Sequence, residues 1–132
     1  MKYLGIDCGT KRIGIAVSDD TGSIAFPLTT LQASSSVTEE IISLAEDTKA
    51  QTIVLGESYN FQGEKNPIME QIKKLGGDLE AKGYAIAYER EFMTSVQARR
   101  EGETAKERID ASAAALILQS YLDRQKARTS IE

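Results

Sequence analysis

Four acidic residues stand where carboxylates commonly do chemistry. Asp7 interrupts an aliphatic pattern formed by Leu4, Ile6, Ile13, Ile15 and Val17, and a carboxylate near the core of a sheet is costly unless it is paired or coordinates a metal. A strand-end Asp accepting hydrogen bonds from the turn amides of Gly9 and Thr10 fits the same position. Asp110 opens the last strongly helical segment, where an Asp is a frequent N-cap. Yet it falls on that helix's apolar stripe of Ala113, Ala114, Ile117, Leu118 and Tyr121, so capping and metal binding both suit it. Glu91 follows a predicted strand, and ligands of open α/β sheets gather at the carboxyl ends of strands; a solvated charge in an acidic-basic run is the other reading. Glu57, just after another predicted strand, is comparably placed.

The residues that are missing narrow the chemistry further. The chain has 132 residues, no His and one Cys, which excludes Ser-His-Asp triads, His-based nucleases, His-ligated zinc and any intramolecular disulfide. A metal would have to be held by oxygen ligands, which suit Mg²⁺ or Mn²⁺. The net charge of −4, from 16 basic and 20 acidic residues, argues against a protein that coats nucleic acid non-specifically. Local basic clusters remain: Lys11-Arg12 beside Asp7, Arg99-Arg100 after Glu91, and Lys106 with Arg108 before Asp110. Positive groups bordering an acidic centre suit a phosphodiester, the acids holding metal and the bases holding flanking phosphates. Arg124, Lys126 and Arg128 read as solubility charges.

These side chains must be positioned by one domain. Hydrophobic residues make up 41% and charged residues 27% of the chain, ordinary globular composition for a core that removes about two thirds of the chain's surface from water. Residues 2–18 read as two strands around a turn at Gly9, and 23–31 as a third strand. Ser36 and Glu39 fit a capping box opening a helix from about 37 to 49. The run Thr52 to Gly56 reads as a strand covered on both faces. Asn66-Pro67 opens a second helix that ends at Gly83, 84–88 is a fifth strand, and 95–100 a short helical candidate. Residues 101–108 read as a solvated loop and 109–125 as the last helix. The order β-β-β-α-β-α-β-α predicts an α/β fold, a mixed five-stranded sheet with helices on both faces. Residues 1–126 form the single expected domain and 127–132 a frayed tail. No apolar run approaches the roughly 20 residues that span a bilayer, and Asp7 breaks any secretory pattern at the N-terminus, so a cytoplasmic protein without membrane contact is expected.

Several blocks are recognisable. The segment Gly5-Ile6-Asp7-Cys8-Gly9-Thr10-Lys11-Arg12-Ile13-Gly14-Ile15-Ala16 resembles the first motif of the YqgF family, the RuvX or Holliday-junction-resolvase-like proteins. Ile53-Val54-Leu55-Gly56, Glu91-Phe92-Met93-Thr94-Ser95-Val96-Gln97-Ala98 and Ile109-Asp110-Ala111-Ser112-Ala113-Ala114 resemble its later blocks, so the likeness covers essentially the whole chain. It implies a ribonuclease H-like fold with the first strand central, catalytic acids at Asp7, Glu91 and Asp110, and a cytoplasmic bacterial nuclease for the 5′ end of pre-16S rRNA. Two positions depart from the family pattern. Phe92 stands where an Arg is usual, so a phosphate contact is either lost or supplied by Arg90. Gly56-Glu57-Ser58 replaces a Gly-[Leu/Tyr]-Pro turn, making Glu57 either a further metal ligand or a solvated variant.

The expected mechanism is two-metal phosphodiester hydrolysis, with Asp7 bridging two Mg²⁺ or Mn²⁺ ions, Glu91 and Asp110 completing their shells, and Lys11, Arg12, Arg99 and Arg100 holding the nucleic-acid backbone. Structured RNA and branched DNA present the same phosphates to such a centre. A junction resolvase would act as a homodimer with paired sites, whereas trimming one RNA end requires a single site. Two readings of another class stand beside these: a nucleotide-binding module, because D-x-G-T resembles the phosphate loop of actin-like ATPases, and a non-catalytic nucleic-acid-binding module.

Overall fold

Period-two alternation of apolar residues makes the first two segments pair as a hairpin. In the computed structural model, which describes residues 1–58, 67–90 and 106–131 and the side chains of all but 106–110 and 129–131, β1 (Tyr3–Cys8) runs antiparallel to β2 (Arg12–Ser18), and β2 antiparallel to β3 (Ala25–Gln32). Helix α1 (Val37–Thr48) leads to β4 (Thr52–Glu57), and α2 (Met69–Ala81) to β5 (Ala85–Arg90). Both strands are parallel to their neighbours, giving one sheet of order β3-β2-β1-β4-β5 with β1 in the middle. Helix α3 (Lys106–Ile131) completes the chain. No helix among the described residues is long and apolar enough to cross a membrane.

The pleat sorts side chains between two cores. Leu4 and Ile6 of β1, Ile13 and Ile15 of β2, and Ile53 and Leu55 of β4 pack against Ile41 and Ala45 of α1 and Met69, Ile72 and Leu79 of α2. On the opposite face, Ala16 and Val54 pack against Ala114, Ile117, Leu118 and Leu122 of α3. Helices thus cover both faces. Edge strand β3 carries one irregularity: Pro27 pairs with Ala16 and Thr29 with Ile15, leaving Leu28 as the extra residue of a bulge.

Helix α3 runs against the direction of β1. The Tyr3 ring meets that of Tyr121 with centroids 5.8 Å apart, whereas Gly5, further along the strand, meets Leu118 and Ala114. Helix numbers fall as strand numbers rise, so the N-terminal turns of α3 lie toward the carboxyl end of β1. Gln119 fixes the helix sideways: its Oε1 accepts from the Ala25 amide at 2.8 Å and its Nε2 donates to the Ser23 carbonyl at 2.9 Å.

Several local expectations need correction. Ser36 precedes α1 but forms no capping box: its hydroxyl donates to Glu40 Oε2 at 2.9 Å and accepts from none of the helix amides. Helix α2 begins at Met69, so Pro67 lies before the helix rather than at its first position, and Asn66 lies outside the described residues. Strand β5 extends to Arg90, because pairing with β4 holds Glu89 and Arg90 opposite Gly56 and Glu57. Helix α3 is longer at both ends than its apolar stripe. It takes in 106–108, read as loop, and 127–131, read as frayed tail; Lys106, Glu107, Arg108, Ala127 and Arg128 are strong helix formers without any apolar pattern.

Candidate active site

Asp7 is the penultimate residue of the central strand, opposite Gly14 of β2, and is half-buried. Its direction follows from its neighbours. A Cβ on Gly5 would point at Leu118, Ile6 lies in the core beneath α1 and α2, and Asp7 therefore returns to the α3 face. In the hairpin turn that follows, the Gly9 amide donates to the Arg12 carbonyl at 2.9 Å, so this amide, one of the two turn donors considered for Asp7, is used within the turn. Position 110 lies on α3 one turn before Ala114, in the row 110, 114, 118 whose later members touch Gly5. The backbone thus brings position 110 toward the end of β1 that carries Asp7. The Asp110 side chain, like Glu91 and the predicted helix at 95–100, lies outside the described residues.

The same alternation separates Glu57 from Asp7. Gly56 faces α3, where an added Cβ would stand 2.7 Å from Ile117 Cδ1, so Glu57 faces the α2 side. The Tyr88 hydroxyl, also on that side, has its pKa raised chiefly by burial, then by Glu80 and Glu57. Arg90, paired with Glu57, shares that face and lies on the wrong side of the sheet to stand in for a phosphate contact beside Asp7.

The acid that does share the α3 face is Glu89. It is only 3% exposed, Ser120 Oγ donates to its Oε2 at 2.7 Å, and Arg124 pairs with its Oε1. Arg124 is therefore more than a solubility charge. Its place in a charged stretch with Arg90 and Glu91 conceals this residue in the sequence. Continuing the β5 alternation from Ala85 through Ala87 to Glu89, with Ser120 and Arg124 four apart on one helix, was the available signal.

Lys11 is exposed at the tip of the hairpin and Arg12 begins β2 on the Asp7 side, two residues from Gly14. Arg99 and Arg100 lie outside the described residues. Cys8 turns to the other face, lining a cleft with Ser34, Val37, Lys74 and Asp78. Among the described residues no three His, Cys, Asp or Glu side chains converge as a metal site. The donor chemistry is still one-sided: with no histidine and the thiol on the far face, the chain offers oxygen ligands beside Asp7, and these fit Mg²⁺ or Mn²⁺.

Comparison with known proteins agrees with this architecture. Residues 1–124 match the family model described as RuvX, Holliday junction resolvase. A relative from Caldanaerobacter subterraneus named "Putative pre-16S rRNA nuclease" is 37% identical over 96% of this chain and 99% of its own. One of the same name from Lactococcus lactis subsp. cremoris is 34% identical over 92% and 94%. Among solved structures, Thermus thermophilus RuvC in complex with a Holliday junction substrate superposes with a TM-score of 0.60 at 14% identity over 96% of each chain. Fowlpox virus resolvase superposes at 0.59 and 11% identity, covering 95% of this chain and 99% of that one. At such identities the likeness speaks for the fold, which is ribonuclease H-like. The family match and the near-full-length relatives go further, and the chain belongs to the RuvX family.

Proposed function

We propose that this chain is a metal-dependent nuclease that hydrolyses phosphodiester bonds in the cytoplasm and processes the 5′ end of pre-16S rRNA. The observation that carries this reading is Asp7: a half-buried carboxylate at the carboxyl end of the central strand, turned to the face where position 110 of α3 approaches. Glu91, one residue beyond the end of β5, and Asp110 are its proposed partners in holding Mg²⁺ or Mn²⁺. The metal would supply Lewis acidity toward the scissile phosphoryl group and the attacking water. Asp7 orients the reacting centre, fixed by its place in a paired strand. Arg12 and Lys11 hold the phosphates on the hairpin side, and Arg99 and Arg100 hold further backbone phosphates, which makes binding salt-sensitive. The relatives named for pre-16S rRNA support RNA as substrate. The description of the matching family supports branched DNA as the second reading, and that activity would call for a homodimer.

The test is cleavage of a pre-16S rRNA 5′ leader and a four-way DNA junction side by side with Mg²⁺ or Mn²⁺, using wild type and Asp7→Asn purified identically. RNA cleavage lost in Asp7→Asn is expected. Cleavage of the junction alone would select the resolvase. Equal activity in the variant would remove Asp7 from the mechanism, and inactivity of both proteins would favour a binding module.

A further inference from the structure

We propose that Glu89 is a positioning residue for the acidic centre, its carboxylate fastening the carboxyl end of β5 to α3. The inference rests on the nuclease reading above. Glu89 is level with Gly56, which follows the Leu55 that pairs with Ile6 of β1. The clamp therefore lies across the sheet from Asp7, two strand spacings or roughly 9–10 Å away, on the same face. From Glu89 the chain reaches Glu91 in two residues, and α3 carries position 110.

Three features point to geometry as the role of this carboxylate. The other β5 residues on this face are Ala85 and Ala87, so the strand sets no large apolar side chain against α3 and its grip depends on Glu89. Both carboxylate oxygens are taken, one by Ser120 and one by Arg124, which leaves Glu89 to act through others rather than as a ligand. A buried charge is also a poor choice for stability alone, because an apolar side chain of similar volume avoids its desolvation. With Gln119 holding the opposite flank of α3 at Ser23 and Ala25, the clamp fixes the helix from the β5 side.

The experiment is a Mn²⁺ titration of the full chain, following free Mn²⁺ by electron paramagnetic resonance, with urea unfolding of the same samples. The proteins are wild type, Asp7→Asn, Glu89→Gln, Ser120→Ala and the double variant Glu89→Leu/Arg124→Leu. Loss of a group that orients metal ligands typically weakens binding 10- to 100-fold. Glu89→Gln and the double variant are expected to bind Mn²⁺ about tenfold or more weakly, and Ser120→Ala more weakly than wild type, while the double variant keeps at least the wild-type urea midpoint. Ser120 is exposed, so its variant remains informative if the others fail to fold. Wild-type Mn²⁺ affinity in a folded Glu89 variant, or in Ser120→Ala where neither Glu89 variant folds, would reduce the clamp to a structural contact. If wild type binds no Mn²⁺, or Asp7→Asn binds it as well as wild type does, the metal-nuclease reading falls and takes this inference with it.

Discussion

Gly5 of β1 lies directly beneath Leu118 of α3: a Cβ at Gly5 would stand 2.7 Å from Leu118 Cβ and 3.0 Å from the Ala114 carbonyl oxygen. The missing side chain sets how deeply the helix sits on the central strand, two residues before Asp7 and one to two turns after position 110. Gly5→Ala must push α3 outward, because two of the atoms it meets are backbone or Cβ and cannot swing away. Overpacking of this kind costs about 1–3 kcal/mol. We expect a lower urea midpoint together with reduced nuclease activity at denaturant-free stability. Wild-type values for both would show that the helix has room to move.

Glu57 and Asp7 separate by face. Because Glu57 lies on the α2 side, Glu57→Gln should leave cleavage within about twofold of wild type, the range of an ordinary surface substitution, whereas Asp7→Asn should abolish it. Steady-state rates with the same RNA leader decide this, and a loss in Glu57→Gln matching that of Asp7→Asn would return Glu57 to the metal site.

Much of this arrangement is legible in the sequence because it follows from periodicity. Alternation over 3–8 and 12–18 specifies the hairpin and its two faces, and the unbroken run at 53–55 specifies an interior strand. Asp7 is conspicuous because it breaks an aliphatic pattern. Glu89 is hidden for the opposite reason: it sits among charges, and its burial depends on partners 31 and 35 residues away. Ser36 looks like a capping residue, but its hydroxyl turns to Glu40 and accepts no helix amide. The far end of α3 carries no apolar stripe, and propensity extends it only through Ala127 and Arg128.

Gly76 and Gly77 are adjacent in α2 and should respond oppositely to alanine. At Gly76 an added Cβ would lie 2.4 Å from the Tyr88 hydroxyl and 3.1 Å from Leu55 Cδ1, whereas at Gly77 nothing lies within 4 Å. Relief of glycine's backbone entropy in a helix is worth about 0.5–1 kcal/mol. Gly77→Ala should stabilise the chain by that amount and raise the urea midpoint, and Gly76→Ala should lower it as the buried strand-facing surface of α2 is pushed off Tyr88. The same sign for both would contradict the packing described for this face.

The β2–β3 turn supplies an acid-sensitive element. Asp19 accepts the Ser23 amide at 2.8 Å, the Ile24 amide at 3.2 Å and the Thr21 hydroxyl at 2.8 Å. These bonds, the Ser23 amide foremost, hold its carboxyl below the usual 3.8. A depressed pKa means that the folded chain binds this proton less readily than the unfolded one. The contribution is complete above about pH 4 and is lost as pH falls through the lower folded value. Tyr88 and Tyr121 act at the other extreme. Burial raises both above 10.0, so their contribution holds below that pH and disappears as pH rises through the folded values. Urea midpoints measured across the acid range should therefore fall less steeply for Asp19→Asn than for wild type. Parallel acid limbs for the two proteins would show that the turn's bonds do not depend on the charge of Asp19.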